Sequence, residues 1–244
     1  VTIRRRSNGS ETSLTQTTVG PTGIVLAGGR SSRFGVDKLA AIYRGIPILH
    51  HAISRLAEVS VDIVVVLAPD VPEPTIPEGL SVRFVRDARE GEGPLAGLQA
   101  GLAATSTDLA LVIGGDMPDL SPRVLLEMLG VAMEDRADAV ALQDGPRFRP
   151  LPSLVRVAAA AEPTNALLLG GERSLRALLE TLRVTVIEGS TWEALDPTRG
   201  SLHDVDEPGD LADVRSHGHG IGSEPKSGKV SPPAHQTLPE RTER

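Results

Sequence analysis

The sequence predicts an α/β fold: a single three-layer α/β/α domain around a mostly parallel sheet. Three observations predict it. Short apolar runs at residues 22–27 (TGIVLA), 61–68 (VDIVVVLA) and 109–113 (LALVI) have the length and composition of strands covered on both faces. Segments with helical spacing or small-residue composition separate them. The apolar runs lead into loops rich in Gly, Asp and Pro, which is where an open parallel sheet binds its ligands.

The elements follow in order. Residues 22–27 are the first strand and end in glycines. Apolar residues at Ile48, Leu49, Ala52, Ile53, Leu56 and Ala57 predict a helix over 46–59 with Pro47 in its first turn. Strands are expected at 61–68 and 82–85, then a small-residue helix at 94–104. The strand at 109–113 precedes a helix at 122–133, with Ser121 as its cap and Pro122 at the first helical position. Further strands are expected at 139–142, 151–155 and 184–187, and helices at 174–182 and 209–215. The ligand-facing loops are then 28–37, 69–79, 86–93, 114–120 and 143–150.

Composition bounds the function. The 244 residues suit one α/β domain, and hydrophobic residues make up 40%. Aromatics are only 2%, so the core must come from Ala, Leu, Val and Ile. Lys+Arg number 25 and Asp+Glu 32, a net charge of −7, which speaks against general nucleic-acid binding. With no Cys, disulfides, thiolate metal sites and Cys nucleophiles are excluded. No apolar run approaches the ~20 residues a bilayer span needs. Residues 1–21 carry Arg4, Arg5 and Arg6 but no apolar stretch after them, so a cytoplasmic location is expected rather than export. That segment and residues 216–244 read as disordered tails around a domain at 22–215, and His217 and His219 as solvated residues of the second tail.

The first loop has the parts of a polyphosphate cradle. From Leu26 it reads LAGGRSSRFGVDK, ending at Lys38. Gly28 and Gly29 let backbone N–H groups approach an anion, Ser31 and Ser32 add hydroxyls, and Arg33 and Lys38 add positive charge. It is neither a Walker loop nor a dinucleotide fingerprint, because both of those patterns are absent.

This segment resembles the signature of the α/β nucleotidyltransferases. Its Asp37-Lys38 ending is most similar to the molybdenum cofactor guanylyltransferases (MobA-like), whose fold is that of the nucleotide-diphospho-sugar transferases, related to the Rossmann type. The resemblance implies that the backbone at Leu26, Ala27, Gly28 and Gly29 holds the nucleotide. It also implies that Lys38 and Arg33 neutralise its phosphates. Residues 87–97 (DAREGEGPLAG) are similar to a family segment that places Asp87 beside the nucleoside, where a carboxylate can accept from the N1 and N2 face of guanine. Residues 113–120 (IGGDMPDL) match a Gly-x-Asp-Met-Pro segment, which makes Asp116 a magnesium ligand; Asp119 reads as a loop or helix-cap carboxylate where the family has an apolar residue. Residues 148–156 and 170–182 resemble family segments on the acceptor side, and Arg147 and Arg149 are candidates for the acceptor's anionic end.

Residues 202–211 (LHDVDEPGDL) depart from the family, with Asp204 and Asp206 in place of two Asn. Asp204 is thereby a possible second magnesium ligand, and the pair favours cytidylyl over guanylyl transfer. The activity implied is Mg²⁺-dependent transfer from GTP to molybdopterin, the organic part of the molybdenum cofactor, giving molybdopterin guanine dinucleotide and pyrophosphate. Lys38, Arg33 and Asp116 would be catalytic. Molybdoenzymes or their chaperones would receive the product. Cytidylyl or other nucleotidyl transfer to molybdopterin or a sugar phosphate is the nearer alternative. A non-catalytic nucleotide-binding protein is the other.

Overall fold

A computed structural model describes residues 20–28, 38–87, 93–206 and 210. Both tails up to Val19 and from Leu211, the helix expected at 209–215 apart from Asp210, and most of the first glycine loop, with Gly29 and Arg33, lie outside these residues. In chain order the strands are β1 (Thr22–Leu26), β2 (Ile42–Tyr43), β3 (Ile46–Pro47), β4 (Asp62–Leu67), β5 (Arg83–Arg86), β6 (Leu109–Gly114), β7 (Ala139–Asp144), β8 (Arg147–Arg156) and β9 (Val184–Ile187). The helices are α1 (Ile48–Ala57), α2 (Gly93–Ala104), α3 (Pro122–Glu134), α4 (Val157–Leu169), α5 (Leu175–Thr181) and α6 (Gly189–Leu195).

The main sheet has seven strands in the order β5-β4-β1-β6-β8-β7-β9. β1 pairs in parallel with β4 and β6, and β4 with β5. β8 runs antiparallel to both β6 and β7, while β7 and β9 are parallel. The expected mostly parallel sheet is therefore present, with β8 alone reversed. Alternate residues of each strand enter opposite cores. On one face Val25, Val65, Leu111 and Ile113 pack with Leu49, Ile53 and Leu56 of α1, Val124, Leu125 and Met128 of α3, and Trp192 of α6. On the other, Ile24, Val64, Val66 and Val112 pack with Leu95, Leu98 and Leu102 of α2, Ala160 of α4 and Leu178 of α5. The near-absence of alternation in the sequence follows, because both sheet faces are apolar. The small residues of α2 have a purpose: a Cβ at Gly101 would stand 2.7 Å from Ile24 Cγ2, so the glycine lets the helix backbone lie on β1.

Four local features differ from expectation. The helix expected from residue 46 begins at Ile48, because Ile46 and Pro47 form β3, paired with β2. Arg44 (φ 48°) and Gly45 (φ 92°) make the turn between them, with two positive φ angles, as a two-residue hairpin with matching twist requires. The loop expected at 143–150 is instead a tight turn at Gly145 (φ 57°), and β8 already starts at Arg147. Two further helices, α4 and α6, fill the intervals 156–170 and 188–196. Ser174 caps α5, accepting a hydrogen bond from the Arg176 N–H at 3.1 Å, whereas Ser121 holds the N-cap position of α3 without such a bond. Among the described residues, no helix is long and apolar enough to cross a membrane.

Candidate functional site

The carboxyl ends of β1 and β6 lie side by side in register, Leu26 opposite Gly114. Beyond the last pair, the Gly115 N–H donates to Leu26 O at 3.0 Å, holding the β6 loop against the end of β1. Asp116 follows at once. Its carboxylate folds back over Gly114, where any Cβ would collide with it. The glycine pair therefore lets a carboxylate sit directly over the strand end. Gly28 is exposed, and a Cβ there would stand 3.2 Å from the Ala68 N, so β1 continues close to the β4 backbone.

Lys38 opens a 3-10 turn, Lys38–Ala40, and reaches this point from the other side of the glycine loop. Its Nζ donates to Asp116 Oδ2 at 2.9 Å and to Asp206 Oδ1 at 3.1 Å. The lysine side chain is 12% exposed, so its pair with the partly buried Asp116 is less screened than a surface ion pair, whereas Asp206 is 67% exposed and its pair is screened. Burial pulls the lysine pKa down, but the Asp116 and Asp206 carboxylates outweigh it and hold the ammonium above its ordinary value. Lys38 is thus a fixed cation at the sheet edge.

The third contributor is a strap made of a 3-10 turn, Gly200–Leu202, and residues 203–206, which carry no regular secondary structure. The Val205 N–H donates to Asp116 O at 3.0 Å, and the Val205 side chain is fully buried with Tyr43 and Ile48. On either side of it, Asp204 and Asp206 meet Arg149 and Lys38 at the carboxyl end of the sheet. Asp204 Oδ2 accepts from Arg149 NH2 at 2.7 Å. Burial, and next the charge of Asp116, push the Asp204 carboxyl above its ordinary value, against the opposing effect of Arg149. Asp116 and Asp204 thus act on each other as like charges, while Lys38 holds the first and Arg149 the second. Their oxygens are of the kind a hard divalent cation takes. Among the described residues no three acidic or His side chains form a metal cluster.

The residues selected from sequence fall into separate places. Lys38, Asp116 and Asp204 come together, and Leu26, Ala27 and Gly28 run beneath them. Within that backbone the Ala27 N–H is already used by Val66 O, at 2.8 Å. Asp87 follows β5, two strands from β1, and its own N–H donates to Leu67 O at 2.9 Å. Asp87 stands about 10 Å across the sheet from β1, two strand spacings. Arg149 joins the group through Asp204, since β8 extends past the end of its pairing with β6 at Val112. Arg147 pairs instead with Asp144 at the hairpin turn. Asp206, not selected as a site residue from sequence, contacts Lys38 directly; its place beside Asp204 in the 202–211 motif is the signal that marks it.

Asp119 has a different part from the one expected. It caps no helix, because Ser121 occupies that position. Its carboxylate accepts from the Tyr43 hydroxyl at 2.5 Å and Arg44 NH1 at 2.7 Å, and lies 3.2 Å from His203 Nδ1. The two acceptor-side segments also meet. The Leu95 N–H, in the first turn of α2, donates to Arg173 O at 3.2 Å, so this N–H serves the protein rather than an anion. Glu172 Oε1 accepts from the N–H groups of Arg173 and Ser174, at 2.7 and 2.8 Å, which fixes the turn.

A glycine-ended central strand, a half-buried lysine and strand-end carboxylates thus meet at one place, and comparison with known proteins decides the family. The family model of the MobA-like NTP transferase domain matches residues 23–188. The chain belongs to this family. It is a nucleotidyltransferase. A probable molybdenum cofactor guanylyltransferase of Chloroflexus aggregans is 32% identical over 199 residues, 80% of this chain and 93% of that protein. Another, from Mycobacterium avium, is 37% identical over 163 residues, 65% of this chain and 80% of that one. Among solved structures, the molybdopterin-guanine dinucleotide biosynthesis protein A of Archaeoglobus fulgidus aligns with a TM-score of 0.66 at 22% identity, covering 80% of this chain and 99% of that one. The 2-C-methyl-D-erythritol 4-phosphate cytidylyltransferase of Thermus thermophilus aligns with a TM-score of 0.59 at 18% identity, covering 80% and 96%. These two structural likenesses show the shared fold.

Proposed function

We propose that the chain transfers a guanylyl group from GTP to molybdopterin, with Mg²⁺, giving molybdopterin guanine dinucleotide and pyrophosphate. The observation that carries the reading is the buried Lys38 ammonium, 2.9 Å from Asp116, at the carboxyl end of β1 and β6. The names of its relatives supply the acceptor and the base. A phosphate oxygen of the acceptor attacks the α-phosphorus of GTP, and the bond from that phosphorus to the bridging oxygen of the β-phosphate breaks. The attacking phosphate is already ionised at neutral pH, so no Ser, Cys or His nucleophile is needed. Lys38, with Arg33 from the glycine loop, neutralises the triphosphate and the departing pyrophosphate. The backbone at Leu26–Gly29 holds the nucleotide, and Asp87 accepts from the guanine edge. The place of Asp87 after β5, two strands from β1, supports this, because a nucleoside must span from base to phosphates. Asp116 and Asp204 hold Mg²⁺, which when bound supplies a Lewis acid that steadies charge on the phosphates. Arg149, beside Asp204, orients that carboxylate.

A second reading, cytidylyl transfer, is favoured by one observation: Asp204 and Asp206 stand where the guanylyl-transferring relatives are expected to carry Asn. The two are separated by measuring pyrophosphate release with Mg²⁺ and molybdate-loaded molybdopterin, supplying GTP, CTP, ATP or UTP alone. Release with GTP and a guanine dinucleotide product is expected. Release with CTP alone would overturn the guanine reading of Asp87 and leave the parts given to Lys38 and Asp116 intact. Release with none would favour a nucleotide-binding protein without this chemistry.

A further inference from the structure

Three segments far apart in sequence carry the site, and each must be held in register with the others. Val205 is fully buried, yet its apolar neighbours Tyr43, Ile48 and Ala41 form a small cluster separate from both sheet cores. Asp119 stands where the three segments converge. It belongs to the β6–α3 connection that carries Asp116. It accepts from Tyr43 and Arg44 of the β2–β3 hairpin, which follows Lys38 directly, and it contacts His203, the residue before Asp204. Its backbone and Cβ also lie so close to Gly200 that a Cβ there would come within 2.8 Å of Asp119 Cβ. The Asp119 side chain is 18% exposed and Tyr43 is 2% exposed, so the bond between them forms in a partly dry place, while Arg44 and His203 reach it from the exposed side.

We propose that Asp119 is a positioning residue: through Tyr43 and His203 it seats the 200–206 strap, and so sets where Asp204 and Asp206 stand relative to Lys38 and Asp116. The inference rests on the nucleotidyl-transfer reading above for its effect on turnover, and on the geometry alone for its effect on the strap. The Asp119 side chain thus acts on the reaction through the segments it ties together, the strap through His203 and the hairpin through Tyr43 and Arg44.

The test uses Asp119→Leu and Asp119→Asn in the full chain, with two measurements. The first is amide hydrogen exchange of peptides covering 200–206. Asp119→Leu should exchange there about 10-fold faster or more, with peptides of β1, β4 and β6 unchanged. The second is pyrophosphate release, separated into kcat and KM for the nucleotide. Asp119→Leu should lower kcat by about 10- to 100-fold, the scale of a displacement near 1 Å, with KM within about 2-fold. Asp119→Asn keeps an acceptor for Tyr43 and should recover most of both; it also serves if the leucine variant fails to fold. Unchanged exchange in the strap overturns the proposal, as does faster exchange with unchanged kcat. If the wild-type chain releases no pyrophosphate with any nucleotide, the reading of function fails, and the exchange measurement still decides whether Asp119 seats the strap.

Discussion

Lys38 shows how one side chain serves two carboxylates. Its removal leaves Asp116 and Asp206 as neighbouring anions without their shared cation. Lys38→Met should therefore lower pyrophosphate release by at least about 100-fold, the scale of losing a charged stabiliser in a water-poor site. Asp116→Asn should do the same while melting within a few degrees of wild type, because Asp116 is only partly buried and its backbone contacts remain; unaltered turnover in a folded variant would remove it from the mechanism. Tyr43 makes a prediction about pH. Burial, the hydrogen bond to Asp119 and the charge of that carboxylate push its hydroxyl up from 10.0 to about 12. The native state then keeps a proton that the unfolded chain releases, so stability falls as pH rises between those two values. The raised Lys38 acts with the same sign: its contribution is whole below the ordinary lysine value and is lost as pH rises through the native one. Denaturant melts between pH 8 and 12 should show this alkaline loss, and Tyr43→Phe should make it shallower.

At the scale of elements, the strap depends on its base as well as its end. Asp196 is 5% exposed and holds the turn that starts the strap, accepting from the Ser201 N–H and the Thr198 hydroxyl, each at 2.7 Å. Burial would raise its carboxyl, but these donors and the Gly200 N–H outweigh burial and hold it below the ordinary value of 3.8. Its stabilisation is therefore present at neutral pH and lost as pH falls below that value. Asp196→Ala should cost about 1–3 kcal/mol at pH 7 by leaving buried donors unpaired. The gap from wild type should shrink in acid, and a constant gap down to pH 2 would show that the carboxylate charge is not what holds the turn. Elements differ in how legible they were. β1, β4 and β6 are read from sequence because runs of Ile, Val and Leu covered on both faces have few other outcomes. The hairpin of β2 and β3 is two residues a side, too short for any period, and only the Arg44-Gly45 pair hints at it. α4 (VAAAAEPTNALLL) has small residues all round and Pro163 inside, so no apolar stripe marks it.

Among the described residues two large apolar cores are divided by one sheet, with a small third cluster under the strap, and Lys38, Asp116 and Asp204 stand outside all three. Leu111 is fully buried under α1 and α3. Leu111→Ala should cost about 2–5 kcal/mol and lower the melting temperature, while kcat per folded molecule stays near wild type; a fall in kcat with little loss of stability would contradict this separation. The same separation decides what sequence can tell about the site. Asp116 and Lys38 are legible because each sits in a short motif at a strand end. The part of Asp119 is not, since its partners at 43, 44 and 203 share no local pattern with it and meet it only through the fold. Lys38 and Asp116 are 78 positions apart, and Lys38 and Asp206 are 168. A ribosome releases the chain from its beginning, so β9 and α6 emerge before residues 203–206, and both cores can close while the strap is still unmade. Of the carboxylates at 116, 204 and 206, the last two are thus made after every strand of the sheet, and the charge around Lys38 is completed only then.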